Sequence, residues 1–308
     1  MEKDLDLRAG RVVRLSRRVE FSAAHSYFQP KLSAAQNAQT FGRCFADDSA
    51  AHGSGHGHNY VLEAFYRGPI QGDTGIAVNL AEVDALLREC VAPLDHRYLN
   101  RDVDPFKTRV PTCENVSAYC HEWLGQRSFA GMRLDGVRVS ESGDLWAESG
   151  ECEPDLTPES VGSGVWTLQL TVNAQHSLSH PAYSDAENER LFGPCFRRHG
   201  HDYLVQASFS DRFDPDVGLF VDREAVARLF EQTIQRPFQG RDLNGLFANT
   251  SCESLACAWF DLLEQAMGAR RSALRGQPVL LQLAIQETRK NRFARSRRMA
   301  QADVQVDV

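Results

Sequence analysis

Gly53-Ser54-Gly55-His56-Gly57-His58-Asn59-Tyr60 decides the reading of this chain, because it sets two histidines two positions apart at the mouth of a strand-forming run. In extended backbone, side chains at i and i+2 share one face, so His56 and His58 can aim at a common ion. Gly57 puts nothing between them. The run that follows, Tyr60-Val61-Leu62-Glu63-Ala64-Phe65-Tyr66, is aromatic and β-branched, which favours a strand over a helix.

Working outward, the motif recurs. Arg198-His199-Gly200-His201-Asp202-Tyr203-Leu204 repeats it in the second half, and an apolar strand ending in a further histidine precedes each copy. From Val13 to His25 the odd positions read Val13, Leu15, Arg17, Val19, Phe21, Ala23 and His25, an alternation with one interruption. Trp166, Leu168, Leu170, Val172, Ala174 and His176 alternate in the same way. Each half thus offers three histidines, the ligand count of a zinc site with an open fourth position.

The rest of the repeat follows in order. Phe41-Gly42-Arg43-Cys44 is mirrored by Leu191-Phe192-Gly193-Pro194-Cys195, and Asp73 to Asn79 by Asp216-Val217-Gly218-Leu219-Phe220-Val221-Asp222. Asn79 and Glu82 predict a helix start, with Leu80, Val83, Leu87 and Cys90 or Val91 as its apolar stripe. Thr112-Cys113-Glu114-Asn115 opens another helix with stripe Val116, Tyr119, Cys120, Trp123 and Leu124; Ser251-Cys252-Glu253-Ser254 is its twin, with Thr250 and Glu253 as the expected capping pair. Val226, Leu229, Phe230 and Ile234 line a helix of the second half. Val137 to Glu141 predicts a short strand, mirrored by Ile285-Gln286-Glu287-Thr288. Residues 26–40 are read as a loop, and 142–164, with six acidic residues and no sustained period, as the linker. The unit is strand-strand-helix-helix-strand-strand, an antiparallel α+β arrangement with helices on one face.

Bulk properties narrow the function. The 308 residues, 42% hydrophobic, suffice for two domains. A net charge of −7 and a pI near 5.8 give no basic footprint, so nucleic acid is not an expected partner, and the Arg-rich piece from Arg289 to Arg298 reads as a solvated terminal segment. No apolar run of about 18 residues and no signal-peptide core appear, so no membrane partner and a cytoplasmic location are expected. The eight cysteines form no CxxC pair. Cys90, Cys120 and Cys257 read as small buried hydrophobes, whereas Cys44 and Cys195 lie in polar approaches to the histidine pairs.

These motifs resemble the 6-pyruvoyl-tetrahydropterin synthase and 6-carboxytetrahydropterin synthase family. The resemblance rests on Phe21-Ser22-Ala23-Ala24-His25, Phe41 to Cys44, His56 to Tyr60, Thr74-Gly75 to Leu80, Leu94-Asp95-His96, Pro111 to Asn115 and Val137 to Glu141. It spans nearly all of the first half and, more loosely, a similar length of the second. It implies two tandem tunnelling-fold domains, each an antiparallel four-stranded sheet with two helices on one face, over residues 11–150 and 164–295 with a linker at 151–163. It also implies a lyase of pterin or deazapurine (queuosine) biosynthesis, Zn2+-dependent, acting on 7,8-dihydroneopterin triphosphate. By the same resemblance His25, His56 and His58 are metal ligands, with His176, His199 and His201 as a second set. Cys44 is the proton-abstracting thiolate, Asp95 and His96 the acid/base dyad, and Glu141 the pterin anchor, with Thr112 and Glu114 facing the pterin. The expected assembly is a homo-oligomer, three two-domain chains forming paired rings in which one half can complete a pocket of the other.

The residue types suit that chemistry. Three neutral imidazoles leave a cation its full charge to stabilise alkoxide or enediolate oxygens. A thiol of pKa about 8.5 becomes a usable base beside a metal or His⁺, and a carboxylate matches paired ring N–H donors. The first half departs from the family in one respect: Cys44 and His56 stand twelve positions apart, and the longer loop brings in His52 as a rival base. In the second half, Gln239 and Gly240 stand where Asp95 and His96 stand in the first, so a metal site, with Glu287 beside it, is expected there without lyase activity. Pyruvoyl and carboxy products are not distinguished by these residues. A non-catalytic zinc and pterin-binding protein and a zinc hydrolase remain as rival classes, the latter disfavoured because no HExxH glutamate accompanies the histidines.

Overall fold

A computed structural model describes residues 12–46, 55–71, 75–127, 131–143, 145–152, 156 and 163–297. Its residues gather into two compact units. One takes the described residues within Met1–Thr157 together with Phe213–Phe220, and the other those within Pro158–Arg212 and Val221–Val308.

In the first unit β1 (Val12–His25) pairs antiparallel with β2 (His56–Pro69), β2 with β3 (Arg133–Ser142), and β3 with β4 (Leu145–Gly150). Helix α1 (Ala34–Phe41) lies between β1 and β2 in sequence; α2 (Leu80–Val91) and α3 (Cys113–Gly125) lie between β2 and β3. The second unit repeats the order: β5 (Ser163–His176), α4 (Asp185–Phe192), β6 (His199–Asp214), α5 (Arg223–Phe230), α6 (Cys252–Ala269), β7 (Val279–Thr288) and β8 (Asn291–Ser296), with β5 pairing β6, β6 pairing β7 and β7 pairing β8. Even the irregularities repeat. In each unit the ladder from the central strand to the next one shifts register nine residues past the first histidine, between Phe65 and Tyr66 and between Ser208 and Phe209, with Asp135 and Leu281 as the extra residues on the partner strands.

Alternation along β1 puts Phe21, Ala23 and His25 on the buried face, where Phe21 stacks on Tyr60 at 4.9 Å between ring centroids. Leu62, Val83, Leu87, Cys90, Val116, Cys120, Val137 and Val139 complete that core. Arg17, the one interruption in the alternation, reaches Asp84 on α2 with its guanidinium. In the second unit Val226, Leu229, Phe230 and Ile234 are buried as their spacing predicts, and Phe238 stacks on Trp259 at 5.3 Å.

Five local expectations are corrected. The supposed loop after β1 contains α1, opened by a capping box in which Ser33 accepts from the backbone of Gln36 and the Gln36 side chain accepts from that of Ser33. The supposed linker contains β4, whose Leu145, Trp146, Ala147 and Glu148 are all buried; with both faces covered, no alternation is left to read. Leu80 sits at the first position of α2 and is 49% exposed, outside the packed stripe, while Cys257 lies on the open face of α6, opposite Leu255, Trp259 and Leu263. The cap of α6 is Ser251, which accepts from Ser254, in place of Thr250.

Candidate metal centre

Strand register brings the first three histidines together. His25 lies directly opposite His56 across the β1–β2 ladder, and His58 lies opposite Ala23, so all three imidazoles leave the same face of the sheet. Glu141 joins them from β3, and one ligand atom from each of the four falls within 4.8 Å of the others. Nε2 of His25 and Nε2 of His56 are 3.2 Å apart. The second unit repeats the arrangement in register, His176 opposite His199 and His201 opposite Ala174, with the same 3.2 Å between His176 and His199.

Neighbouring backbone settles which nitrogen faces inward. Nδ1 of His176 is 2.8 Å from the carbonyl of Thr250, and Nδ1 of His199 is 2.7 Å from that of Arg197. A carbonyl only accepts, so each Nδ1 carries the proton and each Nε2 turns a lone pair into the cluster. His25 repeats this, with Pro111 O at 3.2 Å and the Tyr60 hydroxyl at 2.8 Å from Nδ1. Burial pushes His25 down to about 4 and lowers His201, so both rings stay neutral near pH 7. Two lone pairs facing at 3.2 Å repel unless a cation lies between them. The donor set therefore fits a divalent metal held by three imidazoles.

Around the first cluster Glu141 is the hub. It is 3% exposed, with His58 Nε2 at 3.4 Å and the Cys44 thiol at 3.7 Å from Oε1, and the Tyr27 hydroxyl at 2.7 Å from Oε2. Cys44 is 7% exposed and packs with Tyr27, Phe41, Val110, Leu145 and Leu219. Gly55 shows how tightly the histidine strand is approached: a Cβ there would stand 2.8 Å from the Tyr98 ring and 2.9 Å from the carbonyl of His25. Thr112 is fully buried. Its hydroxyl caps α3 by accepting from Asn115 N at 3.1 Å and donates to the carbonyl of Gly218. Glu114, in the first turn of the same helix, is 4% exposed.

Asp95 and His96 are not among the four clustered residues. Asp95 accepts from Ser22 N at 2.9 Å and sits 2.9 Å from His96 Nδ1, and those contacts, the first above all, hold its carboxyl below the usual range. The His96 backbone takes φ 57°, its N–H bonds to Ser22 O, and its side chain is 81% exposed. It shares a cleft of about 540 Å³ with His58, Asn59 and Tyr98. In the second unit Gln239 takes over the anchoring role, its Oε1 accepting from Asn173 N, and Gly240 occupies the left-handed position with φ 71° and bonds to Asn173 O. The twin site keeps the backbone geometry and loses the carboxylate–imidazole pair. Asp242 is held by Arg198 at 2.8 Å. His52 lies outside the described residues.

Sequence reading missed Tyr27, Tyr60 and the segment Phe213–Phe220. Tyr60 stands in the opening motif and could have been found from it, four residues past His56 on the same strand face. Nothing local marks Tyr27 or the late segment: their roles come from Glu141 and Thr112, each roughly a hundred residues away in sequence.

A family model described as 6-pyruvoyl tetrahydropterin synthase matches residues 14–152 and again residues 167–297. The "Putative 6-pyruvoyl tetrahydrobiopterin synthase" of Caenorhabditis elegans is 40% identical over 113 residues, 37% of this chain and 76% of that protein. The human "6-pyruvoyl tetrahydrobiopterin synthase" is 38% identical over 129 residues, 42% of this chain and 84% of that one. The "Putative 6-carboxy-5,6,7,8-tetrahydropterin synthase" of Archaeoglobus fulgidus is 31% identical over 108 residues, covering 32% and 86%. The solved structure of the Caenorhabditis elegans 6-pyruvoyl tetrahydropterin synthase aligns with a TM-score of 0.41 at 34% identity, over 46% of this chain and 97% of that one.

Proposed function

This chain belongs to the 6-pyruvoyl tetrahydropterin synthase family, as two tandem copies of its tunnelling-fold domain, and from that premise we propose that it is a zinc-dependent lyase that converts 7,8-dihydroneopterin triphosphate to 6-carboxy- or 6-pyruvoyl-tetrahydropterin with loss of triphosphate. The observation that carries this reading is the convergence of His25, His56, His58, Glu141 and Cys44 on one point, with His25, Glu141 and Cys44 buried.

His25, His56 and His58 would hold Zn2+, which when bound supplies positive charge to the side-chain oxygens of the substrate. Glu141 accepts the paired N–H donors of the pterin ring and so fixes its direction. Cys44, within reach of the same carboxylate, takes the proton from the carbon beside those oxygens. Asp95 holds the His96 imidazole by its Nδ1, which makes that ring a proton carrier. His96 points to solvent in the single chain, so its proton is delivered where another copy closes over it. Three two-domain chains, six domains in all, are the assembly proposed.

The second site is read differently on one specific observation: Gln239 and Gly240 replace the dyad while His176, His199 and His201 remain. It binds metal, and Glu287 lies beside it, 3.2 Å from His201, but it lacks the proton carrier for turnover.

The test is incubation of the zinc-loaded protein with 7,8-dihydroneopterin triphosphate, followed by triphosphate release and product mass. Release with a 6-carboxy or 6-pyruvoyl product supports the assignment, and Cys44→Ala should abolish it. No release from fully metallated protein refutes the lyase reading. Full turnover by a His25→Ala, His56→Ala, His58→Ala protein would move the active site to the second half.

A further inference from the structure

Tyr27 is one of the groups at the first site that the scheme above leaves unused. The side chain is 1% exposed, wedged edge-on between His25 at 4.7 Å and Phe41 at 5.8 Å between ring centroids. Its oxygen accepts the backbone N–H of Cys113 at 2.9 Å, in the first turn of α3, and lies 2.7 Å from Glu141 Oε2. Because the N–H of Cys113 can only donate, the phenolic proton is committed to the carboxylate. Glu141 is thereby held at both ends, by β3 through its backbone and by a rigid aromatic through Oε2, with Oε1 left toward Cys44 and His58.

The second unit supplies an internal comparison. Leu178 stands two residues past His176 as Tyr27 stands two past His25, and the equivalence holds in the backbone: Tyr27 N bonds to Cys44 O and Leu178 N to Cys195 O. With no hydroxyl at that position, Glu287 leans instead on His176 at 3.3 Å, His201 at 3.2 Å and Asn291 at 3.0 Å. One domain type therefore aims its carboxylate in two ways: the first unit has Tyr27 where the second has Leu178, and the second adds Asn291, four past Glu287, where the first has Leu145.

We propose that Tyr27 is a positioning residue that fixes the direction in which Glu141 presents its carboxylate to a ring bearing paired N–H donors, and so sets the affinity of the first site for such rings. The inference rests on the functional reading above, which assigns Glu141 to the pterin. A carboxylate offers about four acceptor positions. Tyr27 consumes one and orders the remainder, so its loss weakens binding of the ring more than it slows the chemistry of the substrate side chain.

Tyr27→Phe keeps the ring and removes the hydroxyl; Tyr27→Leu copies the second unit. Both are compared with the unaltered full-length, metal-loaded protein by kcat and KM for 7,8-dihydroneopterin triphosphate and by fluorescence titration with neopterin, which carries the ring without the triphosphate. KM and the neopterin Kd should each rise about tenfold, the usual scale for losing one charge-assisted hydrogen bond, with kcat within about threefold. Unchanged Kd and KM in folded Tyr27→Phe protein overturn the proposal, as does a fall in kcat alone with the thermal midpoint, which would mark a merely structural tyrosine. If the unaltered protein neither binds neopterin nor turns over substrate, the functional reading itself fails and this inference with it.

Discussion

Gly218→Ala probes whether the late segment Phe213–Phe220 is a working part of the first site. Gly218 takes φ 78°, and a Cβ built on it collides with the Asn115 carboxamide and stands 3.1 Å from the Thr112 hydroxyl. Three costs follow. The left-handed backbone costs an L-residue about 1–2 kcal/mol. Displacing the Asn115 side chain breaks its 2.8 Å bond to the carbonyl of Val110, and an unpaired buried acceptor costs about 1–3 kcal/mol. Any shift of the segment also strains the bond from Thr112 to Gly218 O and pulls Leu219 from its place against Cys44 and Tyr27. The expected loss is about 2–5 kcal/mol. Gly240→Ala is the control: its φ is 71°, but among the described residues nothing lies within 4 Å of the added Cβ, and His96 already occupies the twin position at φ 57°. It should cost about 1–2 kcal/mol from the backbone alone. Urea denaturation of both variants, with KM measured in parallel, decides the matter. Equal losses for the two, or a Gly218→Ala protein with unaltered KM, would refute the placement of this segment on the first site.

Three further outcomes are expected. Metal analysis should find two zinc ions per chain, falling to one in the His25→Ala, His56→Ala, His58→Ala protein, and a chelator should lower the thermal midpoint because ligation favours the folded state. On α2, Leu87→Ala, fully buried, should cost about 2–5 kcal/mol, whereas Leu80→Ala, 49% exposed, should cost under about 0.5 kcal/mol by denaturant titration. Asp211 is pushed up to about 6 by burial against an ordinary 3.8, partly offset by the N–H groups of Asp222 and Arg212. A carboxyl raised in the folded state stabilises fully below 3.8 and loses that contribution as pH rises through about 6; the slope amounts to at most about 3 kcal/mol, and Asp211→Asn should flatten it in midpoints measured between pH 4 and 7.

Local rules carried much of this protein to the surface of its sequence. A two-residue strand period is enough to align His56 with His58 and His199 with His201, because successive side chains alternate whatever the strand packs against. The tandem order of elements, the helix starts at Asn79 and Thr112 and the buried stripes of α2 and α3 follow from equally short-range geometry. Helix α1 also carries a local sign, the capping box spelled by Ser33 and Gln36, although the stretch is read as a loop. What no window of residues contains is which distant groups share a pocket. Glu141 meets Tyr27 and Cys44, and Thr112 spends its hydroxyl on Gly218, only because the chain closes loops of about a hundred residues around one core. Strand β4 escaped for a related reason: burial on both faces erases the alternation by which half-buried strands are read. The spacing of the paired histidines is a property of extended backbone and was set by the sequence alone. The direction of Glu141, the use of Thr112 and the allegiance of residues 213–220 are properties of packing, and tertiary structure decided them.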